Sequence, residues 1–350
     1  MQKKAESTQD IVKFPFWFGL DVSKDSFTAA GRTIMRDKAT MFPPEKKYAI
    51  SCKGVEAFLK WAGSEAGLHG FGVAMETTGP YSMMLHKLLL AASPGLHVAV
   101  CNSLSVSLYA RSFTEEKTDK ADAAIIAMYA CDRNPREARK VTPEEARLRE
   151  IVRARNAMKD QLVQARNRLN VMEDKSVRMI QEDLVKSFEK MISRLERELV
   201  AAVKASPEIQ AEVELMMTAP GVGLVSAACI YAELGSLRQY SRKQVSALSG
   251  ICPVNKLSGT SVKRHTISRR GSRLLRRILF LDSNMATRKI PAMEHLRERL
   301  LARPESSKMT AKCACMRRLL LILHAMVVNG TPFDPDYESK KTIRKMANPT

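Results

Sequence analysis

Two aspartates three positions apart, Asp119 and Asp122, stand at the mouth of the Ala-rich stretch "EKTDKADAAIIAMYACD" (residues 116–132). At this spacing they project from one side of a helix turn, where like charges repel unless something positive lies between them. A helix N-terminus relieves part of the cost, with Thr118 available as its cap. One aspartate capping while the other faces water is the bland alternative, and two further acids weigh against it. Asp21 stands where the apolar run "FWFGL" gives out into "DVSKD", and Glu76 holds the equivalent place after "FGVAM". Carboxylates at the ends of buried strands line clefts more often than they serve a core. Four of them, on two strands and a helix, are the donor set of a two-magnesium phosphoryl-transfer site. Such a site needs hard oxygen ligands holding ions about 3.5–4 Å apart, so that attacking and leaving oxygens are both stabilised.

The elements that must present these residues can be read from the pattern around them. Residues 16–30 form a strand, a turn over 23–25 and a returning strand; 71–79 form a strand ending at Glu76, followed by a helix from Pro80 through Leu90. A third short buried strand covers 97–102, and 116–132 supplies a helix. Strands alternating with helices predict an α/β domain with pairing that is parallel at least in part. From Pro143 to Ser206 the texture changes: Leu148, Val152, Met158, Leu162, Ala165, Leu169 and Met172 recur at helical spacing, as do Ile180, Leu184, Phe188, Met191, Leu195, Leu199 and Val203. This predicts one long amphipathic helix, or a helical hairpin bent near 174–176; a straight version would reach about 90 Å. The seams need cover, either from the rest of the domain or, the favoured reading, from a second copy in a coiled coil. Next, "TAPGVGLVSAACIYAELG" (218–235) combines a Pro-Gly-x-Gly turn with an apolar helix. That is the shape of a helix-hairpin-helix, in which Gly221 and Gly223 would let backbone N–H groups approach a phosphate. Residues 246–286 read as a charged Gly/Ser/Pro loop closed by a helix from Ser272 on, and 303–328 as a closing helix pair.

With 350 residues, 45% of them hydrophobic, the chain has material for two or three folded domains. Its formal net charge of +20 and pI near 9.8 point to a polyanionic partner. The excess is local: residues 237–288 hold 12 Lys or Arg against the single acid Asp282, whereas 1–142 hold 19 against 15. An anionic membrane is the weaker candidate, because "LLLILHAMVV" (319–328) is too short to span a bilayer and carries His324. No apolar run of signal-peptide length precedes Asp21, so a cytoplasmic, nucleoid-associated bacterial protein is expected, with no membrane partner. Seven cysteines without a CxxC pair read as reduced thiols, Cys313 and Cys315 being buried filler.

In their order, "GLDVSKDSF", "METTGPYS", "KTDKADAAIIA", "APGVG", "LSGICP", "LSG" and "ISRRGSRLLRRIL" resemble the DEDD transposases of the insertion-sequence group numbered one hundred and ten. That family includes Piv-type DNA invertases and RNA-guided bridge recombinases. The resemblance covers roughly residues 15–290. It implies a RuvC-like, RNase H-type α/β catalytic domain (15–142) after a disordered extension (1–14), then a coiled-coil connector (143–206). A mainly α, basic, serine-bearing transposase domain (207–335) and a flexible tail (336–350) complete the expected plan. Asp21, Glu76, Asp119 and Asp122 fall on the family's four acids, implying bound Mg2+, with Mn2+ as a substitute.

The resemblance also implies a serine nucleophile, matched at Ser258, that forms a transient phosphoserine–DNA link. Ser268 and Ser272 are the alternatives. From the residues themselves, Ser258 lies in a glycine-flanked, basic segment with Lys256, Lys263, Arg264 and His265, and Arg269, Arg270 and Arg273 follow as candidate nucleic-acid contacts. The implied partners are DNA (element ends and target), a structured noncoding guide RNA, and further copies in a homodimer or homotetramer. In the family the acids and the serine come from different protomers. Tyr81 and His86 also match family positions, with helix packing an equal alternative, and Lys24 is read as solvated. Exchanging one phosphodiester for another needs no ATP, in accord with the lack of a Walker-type loop. Two rivals stay open: a metal-dependent nuclease of Holliday-junction-resolvase type with water as nucleophile, and an inert nucleic-acid-binding protein.

Overall fold

The computed structural model describes residues 14–33, 41–77, 79–112, 122–258, 262–304 and 306–337, the side chains of 41–45, 255–258 and 262–265 excepted. Residues 1–13 of the extension expected over 1–14, Thr118, Asp119 and residues 338–350 of the tail expected over 336–350 lie outside them. The chain divides into two compact units, Met1–Lys140 and Val141–Thr350.

The first unit is built on strands β1 (Phe16–Val22), β2 (Ser26–Thr33), β3 (Met41–Ala49), β4 (Phe71–Glu76) and β5 (His97–Cys101). They form one sheet in the order β3-β2-β1-β4-β5. β1 runs antiparallel to β2 and β2 to β3, while β1–β4 and β4–β5 are parallel. Helices α1 (Cys52–Ala66), α2 (Pro80–Ala92), α3 (Ser103–Ala110) and α4 (Asp122–Arg133) complete it. The central strand is apolar without alternation because both of its faces are covered. Phe16, Phe18, Leu20 and Val22 pack with Val73, Met75, Val55, Phe58 and Leu85 on one face. Trp17, Ala74, Ala99 and Cys101 pack with Val106, Ile126 and Ala130 on the other. By the same alternation, Gly19 and Asp21 of β1 and Glu76 of β4 take the second face, the one that α4 covers. At Gly19 the approach is so close that a Cβ would lie 2.1 Å from the Ala123 carbonyl oxygen.

β3 has no signature in the sequence, since "MFPPEKKYA" neither alternates nor avoids proline. It pairs along one edge only, and the register shifts beside Pro43 and Pro44, between the Lys46 and Phe42 pairings, which is where a sheet tolerates missing donors.

The second unit holds helices α5 (Pro143–Leu169), α6 (Lys175–Lys204), α7 (Pro207–Met217), α8 (Leu224–Leu234) and α9 (Arg242–Leu248), strands β6 (Pro253–Ser258) and β7 (Val262–Ile267), and helices α10 (Arg273–Lys289), α11 (Pro291–Leu301) and α12 (Lys308–Asn329). The long amphipathic stretch is a hairpin. Thr142 and Glu145 form a capping box that starts α5, and Asp174 caps α6 by accepting from the Ser176 and Val177 amides, each at 2.9 Å. Arg155–Glu196 and Arg166–Glu189 ion pairs, both 2.6 Å, bind the two antiparallel helices. The root, with Leu148, Val152, Leu199 and Val203, is buried against α7, α8, α10 and α12. Towards the tip Val171, Met179 and Ile180 are exposed at 80%, 67% and 71%.

Two readings of the sequence are corrected. The charged segment after Ser249 is a two-stranded antiparallel ribbon, β6–β7, and residues 308–329 are one helix. No described helix is long and apolar enough to cross a membrane.

Gly19→Ala is expected to cost about 3 kcal/mol by forcing α4 off the sheet. In Gly63→Ala the new methyl meets nothing within 4 Å in the last turn of α1, and this control should hold or gain stability. Urea denaturation of the two variants checks both.

Candidate catalytic acids and basic ribbon

Asp21 and Glu76 end up side by side because β1 and β4 are parallel and pair in register up to Leu20 and Met75, one residue before each acid. Asp122 is the first residue of α4, where the helix dipole favours a carboxylate, and α4 lies against β1. The three charges feel one another. Burial pushes the Glu76 carboxyl above the usual carboxylate range, a hydrogen bond with Ser103 works against that, and the charges of Asp122 and Asp21 push it further up. Burial together with the Glu76 charge also drives the Cys101 thiol up to about 12.

Ser103 is a site residue that the sequence reading missed. It opens α3 just after β5, whose C-terminal end lies beside that of β4 where Glu76 stands, and its place right after a buried strand was the available signal. Its hydroxyl also donates to the Thr77 carbonyl (3.4 Å), and Thr77 in turn donates to the Cys101 carbonyl (3.0 Å), tying the two strand ends together.

No group of three or more His, Cys, Asp or Glu side chains among the described residues is arranged to hold a metal ion. Asp119, the fourth expected ligand, lies outside them. The donors that do meet are all carboxylates, the chemistry that suits Mg2+ or Mn2+, and their mutual repulsion is what a cation relieves. His86 is buried, its Nε2 has no partner among the described residues, and burial lowers its pKa, as helix packing requires. Tyr81 is 37% exposed in the first turn of α2.

In the second unit Ser258 is the last residue of β6, level with Val262 of β7. It lies in a strand where a loop was expected. Lys256 pairs with Arg264, and Leu257 with Lys263. The ribbon is anchored at its root by Ser268 N–H to the Cys252 carbonyl (2.9 Å) and Arg269 N–H to the Gly250 carbonyl (3.0 Å), with Arg269 held at φ 54°. Arg269, Arg270 and Arg273 are exposed at the start of α10. The Ser272 hydroxyl accepts from the Leu275 amide as the α10 cap (3.1 Å), while the Ser268 Oγ is buried without a partner among the described residues.

The α7–α8 turn serves packing at one glycine and stays open at the other. Gly221, at φ 85°, presses on α10, where a Cβ would lie 2.8 Å from the Met285 Cβ and 2.9 Å from the Asp282 carbonyl oxygen. Gly223 is exposed, with nothing within 4 Å of a Cβ, and leaves the α8 N-terminus without a side-chain cap. Ser226 in that first turn donates to Asp282 Oδ1 at 2.8 Å, and Oδ2 is buried without a partner among the described residues.

Comparison with known proteins covers both regions. A DEDD-type IS110 model described as a transposase matches residues 18–176, and one described as the transposase IS116/IS110/IS902 family matches 213–297. The first span contains the four acids and the second contains Gly221, Gly223, Ser258 and the ribbon. The pilin gene-inverting protein of Moraxella lacunata is 27% identical over 91% of this chain and 97% of its own length. Its counterpart in Moraxella bovis is 27% identical over 74% and 81%. The transposase for insertion sequence element IS1111A of Coxiella burnetii is 36% identical over 25% and 23%.

Burial raises Asp282 from an ordinary 3.8 to about 6, against the Ser226 hydrogen bond. The folded chain therefore holds a proton between these values that the unfolded chain releases, so this group costs nothing below about pH 4 and its full amount above about pH 6. Asp282→Asn is expected to stabilise the protein by up to about 3 kcal/mol at pH 7.5, with the gain fading as pH falls towards 4. Thermal melting across that range tests the sign.

Proposed function

The chain belongs to the IS110-type DEDD transposases and is a DNA-recombining enzyme, and from that premise we propose that it cuts and rejoins DNA through a covalent serine intermediate. The observation that carries the proposal is that Asp21 and Glu76, at the C-terminal ends of the parallel strands β1 and β4, and Asp122, at the first turn of α4, lie close enough for both aspartate charges to act on Glu76. The strand order β3-β2-β1-β4-β5, antiparallel on one side of β1 and parallel on the other, supports a RuvC-like, RNase H-type domain over 15–142. Residues 143–206 act as the coiled-coil connector and 207–335 as the transposase domain.

Asp21, Glu76, Asp119 and Asp122 would hold Mg2+, or Mn2+ in its place. When bound, the metal polarises the phosphoryl oxygens and offsets the charge that builds on them. The chain's own part is nucleophilic. The Ser258 Oγ bonds to phosphorus, the bond from phosphorus to the departing deoxyribose oxygen breaks, and the serine proton is released as that oxygen takes one up. A hydroxyl of the other strand reverses the sequence, so the number of phosphate ester bonds is conserved. Ser258 is favoured over its alternatives because Ser272 is engaged as a helix cap and the Ser268 Oγ is buried. The basic stretch 237–288 takes the DNA and, as the resemblance implies, a structured guide RNA. The exposed apolar tip of the α5–α6 hairpin supports a homodimer or homotetramer, and the nucleoid of the bacterial cytoplasm is where the enzyme would meet its substrate.

A plasmid carrying the coding sequence with its natural flanking DNA provides the assay, read as rejoined junctions and as covalent protein–DNA adducts recovered under denaturing conditions. Glu76→Gln, Asp122→Asn and Ser258→Ala should each lower junctions by at least about 1000-fold. Nicked product without any adduct in the wild type would mean that water is the nucleophile. Junctions undiminished in Glu76→Gln and Asp122→Asn would leave only a binding role.

The paired change Ile180→Glu with Leu184→Glu should shift the purified protein to a smaller assembly by light scattering while leaving its fold intact, since like charges on a seam are poorly buried. An unchanged mass would remove the hairpin tip from the interface.

A further inference from the structure

Two helices of the second unit enclose a cavity that the proposed chemistry leaves unused. It measures about 300 Å³, lies between α11 and α12, and is lined by Ala292, His295, Leu296, Arg299 and Arg318. Positions 292, 295, 296 and 299 follow the i, i+3, i+4, i+7 spacing and so share one face of α11. Met293 of α11 and Met316, Leu319 and Leu320 of α12 are buried in the core. Arg318 is left half-buried on the α12 wall of the cleft.

The charges here differ from those beside them. Arg297 pairs with Glu294 at 3.6 Å and Arg317 donates to the Ser246 hydroxyl at 3.3 Å, so the fold uses both. His295 and Arg299 have no hydrogen-bond or ion-pair partner among the described residues, and no described acid lines the cavity. Guanidinium groups brought from two helices to one cavity repel each other unless an anion lies between them. Apolar walls with a few convergent polar groups make a ligand site, and this volume is at the small end of such sites. The guanidinium fork matches phosphate oxygens in pairs. The chain's own C-terminal segment is a poor occupant, since residues 338–350 hold Lys340, Lys341, Arg344 and Lys345 against the single acidic side chain of Glu338.

We propose that the α11–α12 cleft is a phosphate site that takes one nucleotide of a single-stranded nucleic-acid segment. Arg299 and Arg318 grip the phosphate, His295 offers a further donor, and Ala292 and Leu296 pack against the sugar or base. A duplex fits less well, because its bases are stacked inside a cylinder, whereas a single strand can turn a whole nucleotide into a recess. The match to the transposase family ends at residue 297, short of Arg299 and Arg318. The inference goes beyond the proposed function and depends neither on Ser258 nor on the acids.

Binding to the full chain is measured by fluorescence anisotropy, without divalent metal so that nothing is cut. The probe is a mixed-sequence strand about 20 nucleotides long, made as RNA, as DNA and as a DNA duplex, over a series of salt concentrations. Arg299→Gln and Arg318→Gln are each expected to weaken single-strand binding about tenfold. Each should also lower the slope of log K against log salt by about 0.7, the value for one phosphate. Together they should cost less than the product of their separate losses, because both hold one anion. Arg299→Lys should keep the salt slope and recover only part of the affinity. Lys60→Gln, which removes an exposed charge from α1, is the control and should leave binding nearly unchanged. A loss confined to RNA identifies RNA as the source of the nucleotide, and a loss shared by RNA and DNA means that the cleft reads phosphate whatever the sugar. Losses no larger than that of Lys60→Gln in both single strands would overturn the site, as would an unchanged salt slope. A greater loss in the duplex than in either single strand overturns the single-strand assignment. Should Arg318→Gln melt below the wild type, Arg299→Gln at its exposed position still decides. Adducts in the plasmid assay are read separately, so the cleft can fail while Ser258 stands, and the reverse.

Discussion

The acid cluster depends on a packing constraint: the backbone of α4 must touch the backbone of β1 at Gly19. With any side chain there, α4 would stand off the sheet, and Asp122 at its first turn would leave the neighbourhood of Asp21 and Glu76. The alternation of residues along β1 and β4 does the rest, directing Asp21 and Glu76 to the face that α4 covers. One close contact and one parallel register thus bring Asp21 and Asp122 within electrostatic reach of Glu76. Their repulsion is held by the surrounding fold, through the two apolar layers and through the Ser103–Glu76 and Thr77–Cys101 hydrogen bonds. Carboxylates gathered in this way raise one another's proton affinity, and that repulsion is what a divalent cation would relieve.

The second unit divides its positive charge differently from what composition suggests. Arg277 is bound to Asp160 and to the Asn156 side chain (2.9 Å), joining α10 to α5, and Arg238 pairs with the nearly buried Glu212 at 3.4 Å. Arg276 donates to the Gly271 carbonyl (2.9 Å) and closes the bend before α10. These residues hold the unit together. Arg242, Lys243, Arg269, Arg270, Arg273 and Arg288 are exposed without such a tie to the fold, so among the described side chains the surface offered to a polyanion is narrower than the count of basic residues in 237–288 implies.

Glycine is used in two ways in the α7–α8 turn, and only coordinates separate them. Gly221 makes a helix contact with no room for a methyl, whereas Gly223 leaves an open helix N-terminus. A Gly-x-Gly pattern carries both meanings at once, because sequence records the lack of a side chain and not what occupies the space.

By itself the sequence determined the alternating strand–helix order of the first unit, the ends of its buried strands with Asp21 and Glu76 on them, the long amphipathic stretch from Pro143 to Ser206, for which a hairpin bent near 174–176 was one of two readings, and the start of α10 at Ser272. Each of these follows from local periodicity, capping or charge, which neighbouring residues write directly into the chain. Tertiary structure alone decided the rest. β3 carries two prolines and is a strand only because an edge of the sheet accepts it, and the β6–β7 ribbon reads as a loop because its strand character comes from cross-strand pairing. Ser103 joins Glu76 because β4 and β5 end together. Contacts between residues far apart in the chain decide these features, and no local pattern encodes them.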